Sequence, residues 1–556
     1  MSAPELEVNN SSLERAVSLY EQGEYIHAES LCREILTGNP GNADAWNLIG
    51  IIAGQIGHSE QAIEYINKAI ELNPQEIRYY SNLAEIYNAR GELGYAIKKH
   101  EMQGAVNASF QLARDLLDID AHEAARIALQ RVLEFSPAHS QAHFEMGKLK
   151  LEQGNFKEAV SHYIDYLAES NENIAKHDVR LVNFQRVRDY CQRQSLPYHV
   201  IQKEQVYKIH FPMGWNETES RNETTKQSEY YIAEVNDALI VGGKDLVIVD
   251  ENLVLYDLAF HQESTRYELT DEVVRYCAGE HALIDINNQI ENEFEEAIML
   301  SGFASFNYSH WLIEYLPRFL GLNELVEYQH LPLLVDMASI NDSHQLEMLQ
   351  IMNKSGRKII PMQAGSVYRC KRLIVPSALS TMPINLKSNT AIKANDVVIS
   401  KAAIDYMRQN FYKPDHGKYH GPERLYISRK NASFRRLANE DEIQELFESY
   451  GFEVISPDRL SVSQKLSLFN NAKFIAGPGS SGFTNILFSP PNANVLFLIS
   501  DVWREGTFLS NISGSIGQNL RCVYGQHISG THNLAFHCDY FLDKNEVRQA
   551  IEGMIH

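Results

Sequence analysis

Paired cysteines and clustered metal ligands are missing from this sequence. Its six cysteines are scattered along 556 residues without a C-x-x-C pair, and no histidine cluster stands at metal-ligand spacing. A disulfide framework and a zinc site are therefore not indicated, whereas reduced thiols in a cytosol fit the pattern. We expect a cytoplasmic protein.

Long apolar runs and a secretory leader are missing too. The first residues, MSAPELEVNNSSLERA, contain neither a basic start nor an apolar stretch, and no run approaches about 18 apolar residues. Secretion and a membrane span are thus not expected. Positive charge is also scarce, because 50 Lys and Arg face 72 Asp and Glu for a net charge of −22. That balance argues against nucleic acid, or an anionic membrane surface, as the main partner.

What the sequence does contain is globular composition with an internal repeat. At about 150 residues per domain, its length predicts three or four domains. A unit with tetratricopeptide spacing begins near Ala43 and includes Trp46, Ile49, Gly50, Gly57, Ala62, Ile66, Ala69 and Pro74. The motif is specific enough to predict a helical repeat array.

Neighbouring units repeat this pattern at a period of about 34 residues. The matching positions are Gly23, Ala28, Cys32 and Pro40 upstream, and Tyr80, Leu83, Tyr87, Gly91 and Ala96 downstream. After a slip the register resumes with Ala125, Leu129, Pro137, Gly147, Gly154, Ala159 and Tyr163. About five helix pairs predict a solenoid whose concave face holds a peptide or partner protein. A scaffold that only makes a homodimer is the alternative interpretation.

The character of the sequence changes near residue 200. A helical interpretation extends through NIAKHDVRLVNFQRVRDYCQRQ and stops at Pro197, and β-rich runs with GGK and DEN turns occupy 229–258. From about residue 298, apolar strands alternate with amphipathic helices, which predicts parallel, doubly wound sheets with ligands at the strands' carboxyl ends. The predicted domains are the repeats at 1–175, a helical linker at 176–200, and two lobes at 201–395 and 396–556.

One stretch, GPGSSGFTN at 477–485, combines glycines and small polar residues after the strand KFIAG. If it opens a helix, its free N–H groups and small side chains predict an anion cradle for phosphate. A plain structural turn is an equally good interpretation. The stretch has neither the G-x-G-x-x-G nor the Walker spacing, which disfavours NAD and ATP.

Arginines cluster nearby in YISRKNASFRRLANEDEI. Arg429 follows a strand, and Arg435 and Arg436 lie in the loop before a helix, which suits a diphosphate. The alternative is that they pair with the surface acids Glu440, Asp441 and Glu442. In that alternative ANEDEI is only a helix start, with Asn439 as N-cap.

A histidine and a glutamate lie one helical turn apart in NYSHWLIEYLPRFL. If the helix begins near Tyr308, His310 and Glu314 share one face, and Trp311 and its neighbours face inward. A base beside a carboxylate can deprotonate a hydroxyl for attack. A histidine next to tryptophan is also common as a hydrogen-bonded core residue.

These three stretches, in this order, resemble the glycosyltransferase family 61 domain over residues 229–500. The resemblance implies a GT-B fold with a nucleotide-sugar donor in the cleft, the first lobe on the acceptor side and the second on the donor side. It also implies metal-independent, inverting transfer to a hydroxyl. By resemblance, His310 matches the N-x-x-H-W histidine and Arg429 the strand-end arginine. Arg436, Asn439 and Glu440 match R-x-x-N-E.

One departure from the family pattern concerns the glycine-rich loop. Where the family usually has G-P-H-G-A-G-L-T-N, this chain has Gly479, Ser480 and Ser481 in place of H-G-A. The loop histidine is absent, although serine hydroxyls can still bind phosphate oxygens. The expected donor contacts in this loop are Gly477, Gly479, Ser480, Ser481, Gly482 and Asn485.

The complete expectation is a tetratricopeptide solenoid followed by a two-lobed GT-B transferase, cytoplasmic and bacterial. It transfers a sugar from a nucleotide diphosphate sugar, with UDP as the first nucleotide to test, to a protein or peptide hydroxyl selected by the repeats. No metal or other cofactor is expected, since the second half has no Asp-x-Asp motif. Two alternatives stay open: a polysaccharide-assembly transferase whose repeats dock a partner, and a non-catalytic binding protein with a degenerate transferase domain.

Overall fold

The protein is represented by a computed structural model. It describes residues 3–555 except 74–75, 77, 80–81, 84, 87–105, 171, 261–265, 383–385, 388–392, 414–420, 431 and 533–536. The chain forms two compact units, Met1–His177 with Tyr276–Gly279, and Asp178–Arg275 with Glu280–His556. Within the described residues, we find no helix that is both long and apolar enough to cross a membrane.

The first unit consists of helix pairs. Its described helices are α1 Ala3–Glu21, α2 Tyr25–Gly38, α3 Ala43–Gln55, α4 Ser59–Leu72, α5 Val106–Asp118, α6 His122–Phe135, α7 Ser140–Glu152 and α8 Phe156–Glu169. The small residues Ala28, Ala62 and Ala159 are fully buried where paired helices approach. At Gly50 an added Cβ would lie 2.5 Å from Ile66 Cγ1, so the repeat needs glycine there.

The repeat prediction is confirmed where the structure describes it. Leu83 is buried, and the Trp46 indole donates to the Pro40 carbonyl, so both residues are packing elements of the repeats. The predicted repeat residues Pro74, Tyr80, Tyr87, Gly91 and Ala96 lie outside the described residues.

The prediction of a helical linker over residues 176–200 is wrong for the first part of this segment. His177–Gln185 is a strand, β1, which runs parallel to β7 (Leu253–Leu255). Only Val187–Gln194 is helical, as α9. The run DVRLVNF contains β-branched residues, which favour strands. Its hydrogen bonds to β7 stabilise the strand more than the helical pattern of the neighbouring residues favours a helix.

Among the described residues, the second unit is built on two large sheets and one two-stranded sheet. Besides β1 and β7, the strands before residue 380 are β2 Tyr198–Gln202, β3 Gln205–Ile209, β4 Glu223–Gln227, β5 Tyr230–Val241, β6 Val247–Asp250, β8 Val274–Ala278, β9 His281–Asn287, β10 Ile290–Leu300, β11 Leu333–Asp336, β12 Ile359–Met362 and β13 Val367–Pro376. The small sheet is the antiparallel pair of β3 and β4. The later strands are β14 Arg424–Ile427, β15 Glu453–Ile455, β16 Phe474–Pro478, β17 Asn494–Ser500, β18 Asn519–His527 and β19 Tyr540–Phe541.

The helices of this unit follow the strands. They are α10 Tyr308–His310, α11 Phe319–Glu324, α12 Met337–Asn341, α13 Ser343–Met352, α14 Lys401–Phe411, α15 Glu440–Ser449, α16 Val462–Asn471, α17 Phe508–Ile516 and α18 Lys544–Ile555. A π-helical turn, Trp311–Tyr315, continues α10, and a 3-10 helix, Ser481–Phe488, follows β16.

The first sheet is mixed rather than wholly parallel. Its order is β12-β11-β10-β13-β5-β6-β7-β1-β9-β8, with β2 added on β5. The strands β12, β11, β10 and β13 are mutually parallel, whereas β5 pairs antiparallel with β13 and β6. The parallel part has the 3-2-1-4 order of a Rossmann half, so its switch point lies between β10 and β13.

The second sheet has the order β15-β14-β16-β17-β18-β19, parallel up to β18, with β19 antiparallel. This is the 2-1-3-4-5 order of a flavodoxin-like sheet, whose switch point lies between β14 and β16. The predicted fold class, helical repeats followed by two Rossmann-like lobes, is confirmed.

A single hydrophobic cluster links the two sheets. It contains Trp311 and Phe319 from the segment after β10, and Ile475 and Phe488 from the segment around β16. The Arg408 guanidinium of α14 donates to the carbonyls of Leu487 and Ser489 at 2.6 and 2.8 Å. The lobes are therefore joined through a packed apolar core as well as by the chain.

Candidate functional site

Both switch points carry the residues singled out from the sequence. Arg429 follows β14 and the glycine-rich loop follows β16, at the carboxyl edge where open α/β sheets bind ligands. The segment with His310 and Glu314 follows β10 at the other switch point. Topology alone thus places these three stretches at ligand-binding edges.

Arg429 is enclosed at the end of β14. Its guanidinium donates to the Phe434 carbonyl at 3.1 Å and lies over the Phe434 ring. Its Nε is buried without a hydrogen-bond partner among the described residues. Burial lowers the pKa of this guanidinium, because the surrounding protein solvates the charged form less well than water does.

Arg435 is even more confined. Its backbone has φ of 55°, and its guanidinium lies 5.1 Å from the centre of the Trp503 ring. Burial, followed by the nearby charge of Arg429, lowers its pKa to about 10. Among the described residues, no carboxylate forms an ion pair with Arg429 or Arg435. Glu440 and Asp539 act on Arg429 only from a distance, so two like charges without a direct ion-pair partner favour a bound anion.

Histidines surround these arginines. His537 packs against Phe434 with ring centres 4.7 Å apart, and against His532 at 4.9 Å. Burial, with the Arg435 charge second, lowers the pKa of His537 to about 4. The imidazole is therefore neutral at pH 7 and adds hydrogen-bonding capacity without more positive charge.

The R-x-x-N-E residues hold the arginine loop in place. Arg436 is exposed and forms an ion pair with Asp539, 2.7 Å between nitrogen and oxygen. Asn439 is the N-cap residue of α15, but its side chain does not cap the helix and its amide donates to the Leu542 carbonyl at 2.9 Å.

Glu440 positions Arg429 directly. Its buried carboxylate accepts from the Arg429 backbone N–H at 2.7 Å and from the Ser428 hydroxyl at 2.9 Å. The alternative pairing of the arginines with helix-start acids does not occur, because Asp441 pairs with Lys430 and Glu442 with Lys544. The motif fastens the loop 428–440 to the segment 537–542.

The glycines after β16 are required by packing. A Cβ at Gly477 would lie 2.3 Å from the Ile427 carbonyl oxygen, and a Cβ at Gly479 would lie 3.0 Å from Phe497 Cζ. A Cβ at Gly482 would lie 3.3 Å from Pro457 Cγ. The backbone therefore comes close to the neighbouring strand and to core side chains, which explains the glycines without a ligand.

We expect Gly477→Ala to destabilise the protein more than Gly451→Ala. Both glycines have positive φ, 143° and 78°, and an L-residue in this region costs about 1–2 kcal/mol. Only Gly477 adds a clash with backbone, since Gly451 has nothing nearer than Arg424 Nη1 at 3.9 Å. Urea unfolding followed by tryptophan fluorescence would measure the difference; equal losses would contradict the packing role.

An aromatic ring from a neighbouring strand lies beside Gly479, the loop position at which the family has histidine. Phe497 of β17 occupies the space beside Gly479, so a larger residue there needs Phe497 to move. Ser480 Oγ is buried without a hydrogen-bond partner among the described residues, whereas Ser481 is exposed. An unsatisfied buried hydroxyl is costly, so Ser480 is the loop side chain best prepared for a ligand.

Asn485 joins the lobes instead of facing the donor edge. It is fully buried, accepts from the Tyr308 hydroxyl at 2.7 Å and donates to the Gly482 carbonyl at 2.8 Å. Beside it, the hydroxyls of Ser309 and Thr484 lie 2.8 Å apart. These bonds fix the segment before His310 directly onto the 3-10 helix that follows the glycine-rich loop.

His310 and Glu314 form a close pair. Asn307 caps the helix by accepting from the Ser309 N–H, and the π-helical turn then brings Glu314 Oε2 to 2.5 Å from His310 Nδ1. The other oxygen, Oε1, accepts from the Met382 N–H at 2.7 Å. Trp311 behind them is fully buried, as its inward orientation predicted.

These contacts determine the histidine tautomer. Because a carboxylate only accepts, the Nδ1 atom of His310 carries the proton, and Nε2 holds the free lone pair. Glu314 is thus the orienting group and His310 Nε2 the basic atom. The histidine side chain is 5% exposed, so it is almost completely enclosed by protein.

Glu314 also lines a cavity of about 540 Å³ in the first lobe. Phe303 follows β10 and Ser377 follows β13, so this cavity lies at the first switch point. Its wall includes Tyr315 and the carboxylate of Asp245, whose pKa is raised by burial. Aromatic faces beside hydrogen-bonding carboxylates suit a polyhydroxylated ligand.

The loop at this cavity is held by a buried aspartate. Asp336, at the end of β11, accepts from the hydroxyls of Ser301 and Ser305, each at 2.6 Å. It also accepts from the N–H groups of Gly302 and Gly243 at 2.9 and 2.7 Å. Four hydrogen bonds to one carboxylate make the cavity mouth rigid.

Sequence reasoning missed several residues at these edges. Trp503 follows the strand VLFLIS, and its place after a parallel strand was a usable signal. Asp245 and Asp336 also follow apolar strands. His532 and His537 come from an irregular segment far along the chain, and no spacing or periodicity pointed to them.

Family models match three parts of the chain. Residues 308–496 match Glycosyltransferase 61, and residues 43–76 and 110–174 match two tetratricopeptide repeat models. Residues 308–496 form a glycosyltransferase 61 domain. The chain therefore carries tetratricopeptide repeats followed by this transferase domain, as the sequence resemblance predicted.

Relatives among characterised proteins match only short segments. A UDP-N-acetylglucosamine–peptide N-acetylglucosaminyltransferase of Caenorhabditis elegans is 31% identical over 13% of this chain and 6% of its own length. Anaphase-promoting complex subunit 3 of Schizosaccharomyces pombe is 21% identical over 25% of this chain and 22% of its own. The chain thus spans less than a quarter of either relative.

Two solved structures are similar to a segment of this chain. A MamA crystal structure is 18% identical, covers 30% of this chain and 92% of its own, and has a TM-score of 0.21. A mutant of the Thermobaculum terrenum O-GlcNAc transferase is 19% identical, covers 30% of this chain and 27% of its own, and has a TM-score of 0.19.

Proposed function

We propose that the protein transfers a sugar from a nucleotide diphosphate sugar to the hydroxyl of a protein or peptide acceptor selected by its repeats. The transfer inverts the anomeric centre and needs no metal ion. The observation that carries the proposal is the pair of desolvated, unpaired arginines, Arg429 and Arg435, at the switch point of the second sheet.

The leaving diphosphate is the group that these arginines would stabilise. Guanidinium groups bind phosphate oxygens through charge-assisted hydrogen bonds, and preorganised donors act most strongly where water is excluded. Ser480, with its buried unsatisfied hydroxyl, lies on the loop after the neighbouring strand. Trp503 offers a ring on which a nucleotide base could stack.

The acceptor side would use the His310–Glu314 pair. His310 Nε2 takes the proton of the acceptor hydroxyl as the oxygen attacks the anomeric carbon, and the bond to the diphosphate breaks on the opposite face. Glu314 holds the imidazole through Nδ1 and stabilises the imidazolium that forms. The adjacent cavity would receive the acceptor.

The repeats support a macromolecular acceptor. A peptide-binding solenoid on the same chain as a transferase domain raises the local concentration of its target. The two alternatives, polysaccharide assembly and a non-catalytic binding protein, lack a specific structural observation in their favour. The enclosed arginines and the oriented histidine would have no use in a degenerate domain.

The test is nucleotide release from a panel of nucleotide sugars, with UDP-sugars first. We expect slow release of nucleoside diphosphate from one donor, faster release with acceptor, and unchanged turnover in EDTA. Release from none of the donors, with no nucleotide binding by calorimetry, would refute the transferase. Loss of turnover in EDTA that Mn²⁺ restores would refute only the metal-free part.

We expect deletion of residues 1–175 to preserve donor hydrolysis and to reduce transfer to the natural acceptor severely. The cut precedes β1, whose pairing with β7 stays intact, and it keeps every residue of the second compact unit, together with Tyr276–Gly279 from the first. Parallel assays of hydrolysis and transfer would measure the split. Equal loss of both activities in a folded variant would make the repeats part of the catalytic unit.

A further inference from the structure

The helix pair α7 and α8 of the repeat unit brings together three metal-ligating side chains. They are His143 on α7, and His162 and Asp165 on α8. One ligand atom from each lies within 4.8 Å of the others. This cluster could not be predicted from the sequence, because 18 residues separate the two histidines and only the helical hairpin makes them neighbours.

We propose that His143, His162 and Asp165 form a three-ligand site for a divalent transition metal of the zinc class, with its remaining coordination position open to solvent or to a partner side chain. The site belongs to the repeat unit and does not depend on the proposed transferase chemistry.

The protonation of His143 is set by a backbone group. Its Nε2 lies 2.8 Å from the Pro137 carbonyl oxygen, which can only accept a hydrogen bond. The proton is therefore on Nε2, and Nδ1 accepts a hydrogen bond from His162 Nδ1 at 3.0 Å. Metal binding requires this bridging proton to leave His162 Nδ1. A carbonyl that fixes the tautomer in this way is the usual outer-shell partner of a metal-binding histidine.

The ligand spacing suits a small metal ion. The two Nδ1 atoms lie 3.0 Å apart, and His143 Nδ1 lies 3.7 Å from Asp165 Oδ2. With metal–ligand distances of about 2.0–2.2 Å, tetrahedral ligand atoms are roughly 3.3–3.5 Å apart. Both observed distances come within a few tenths of an ångström of that range. His162 and Asp165, three residues apart, share one helix face.

The electrostatic surroundings keep the ligands available. Lys150, whose charge acts on His162, forms an ion pair with Glu158 at 2.5 Å, so this cation is compensated. Asp165 is half-exposed and supplies the one carboxylate of the ligand set.

Two nitrogen ligands and one carboxylate select the metal. Imidazole suits zinc, copper, cobalt and nickel, whereas Mg²⁺ and Ca²⁺ prefer all-oxygen sites. A site with three protein ligands leaves one tetrahedral position open. On a repeat surface, that position can accept a histidine or carboxylate from a bound protein.

The experiment uses the full-length protein without a histidine tag, stripped with EDTA and exchanged into metal-free buffer. Co²⁺ titration should give the visible absorption bands of a tetrahedral site, saturating at one equivalent per chain and displaced by Zn²⁺ but not by Mg²⁺. His162→Ala and Asp165→Asn should each weaken Co²⁺ binding at least about tenfold. His162 is partly exposed and Asp165 exposed, so both variants should fold.

Controls separate this cluster from the other histidines of the chain, which has 21 in all. His27→Ala, an exposed histidine on α2, should leave binding unchanged. Absence of saturable Co²⁺ binding would overturn the proposal and leave an ordinary hydrogen-bonded histidine pair. Binding that survives both His162→Ala and Asp165→Asn, or either one alone, would overturn it as well, because the three-ligand site requires both.

Discussion

His310→Ala should lower kcat by about 100-fold or more, the usual scale for loss of a general base, with little change in donor affinity. The structure supplies the reason. His310 Nδ1 is hydrogen-bonded to Glu314, so Nε2 is the basic atom. The alanine substitution removes this atom. Steady-state kinetics with donor and acceptor, alongside nucleotide binding by calorimetry, would separate turnover from affinity.

Two further variants sharpen this result. Glu314→Gln keeps the side-chain shape but removes the charge that orients and stabilises the imidazole, so its kcat should fall less than that of His310→Ala. His330→Ala, an exposed histidine before β11 in the same lobe, should change nothing. If His310→Ala keeps near-full turnover, the base lies elsewhere, and Glu314 is the next candidate because it faces the cavity itself.

The parts of the fold that could be predicted are those with a strong period or motif. The repeat pattern from Ala43 predicted the helix pairs, and the strand-turn-helix alternation predicted the parallel pairing of β14 with β16 but not the order of the strands. The strand at His177–Gln185 could not be predicted with equal ease, because its partner strand lies about 70 residues away and supplies the stabilising bonds.

The candidate site shows the same division. Arg429 and His310 were recognisable because each directly follows a strand or opens a helix, where side chains reach a sheet edge. Which arginine is available could not be predicted, since that depends on Asp539, about a hundred residues away in sequence, pairing with Arg436 and leaving Arg435 unpaired. The role of Asn485 was hidden for the same reason, because its partner Tyr308 belongs to the other lobe.

These arginine environments lead to the second large effect. Arg429→Ala and Arg435→Ala should each weaken binding of a nucleoside diphosphate by about 1.5–3 kcal/mol, the value of a hydrogen bond to a charged group. That corresponds to roughly 10- to 150-fold in the dissociation constant. Calorimetric titration with the diphosphate, without acceptor, measures the binding free energy separately from catalysis.

The neighbouring Arg436 makes this prediction discriminating. Its charge is already paired with Asp539 on the exposed side of the loop, so Arg436→Ala should lower stability more than nucleotide affinity. Arg548→Ala, at an exposed arginine on α18 of the same lobe, controls for net charge.

If Arg429→Ala binds the diphosphate with unchanged affinity while its fold is intact, the anion site is not at the carboxyl end of β14. If all four variants weaken binding equally, the effect is long-range charge alone, since only a contact site distinguishes enclosed arginines from exposed ones.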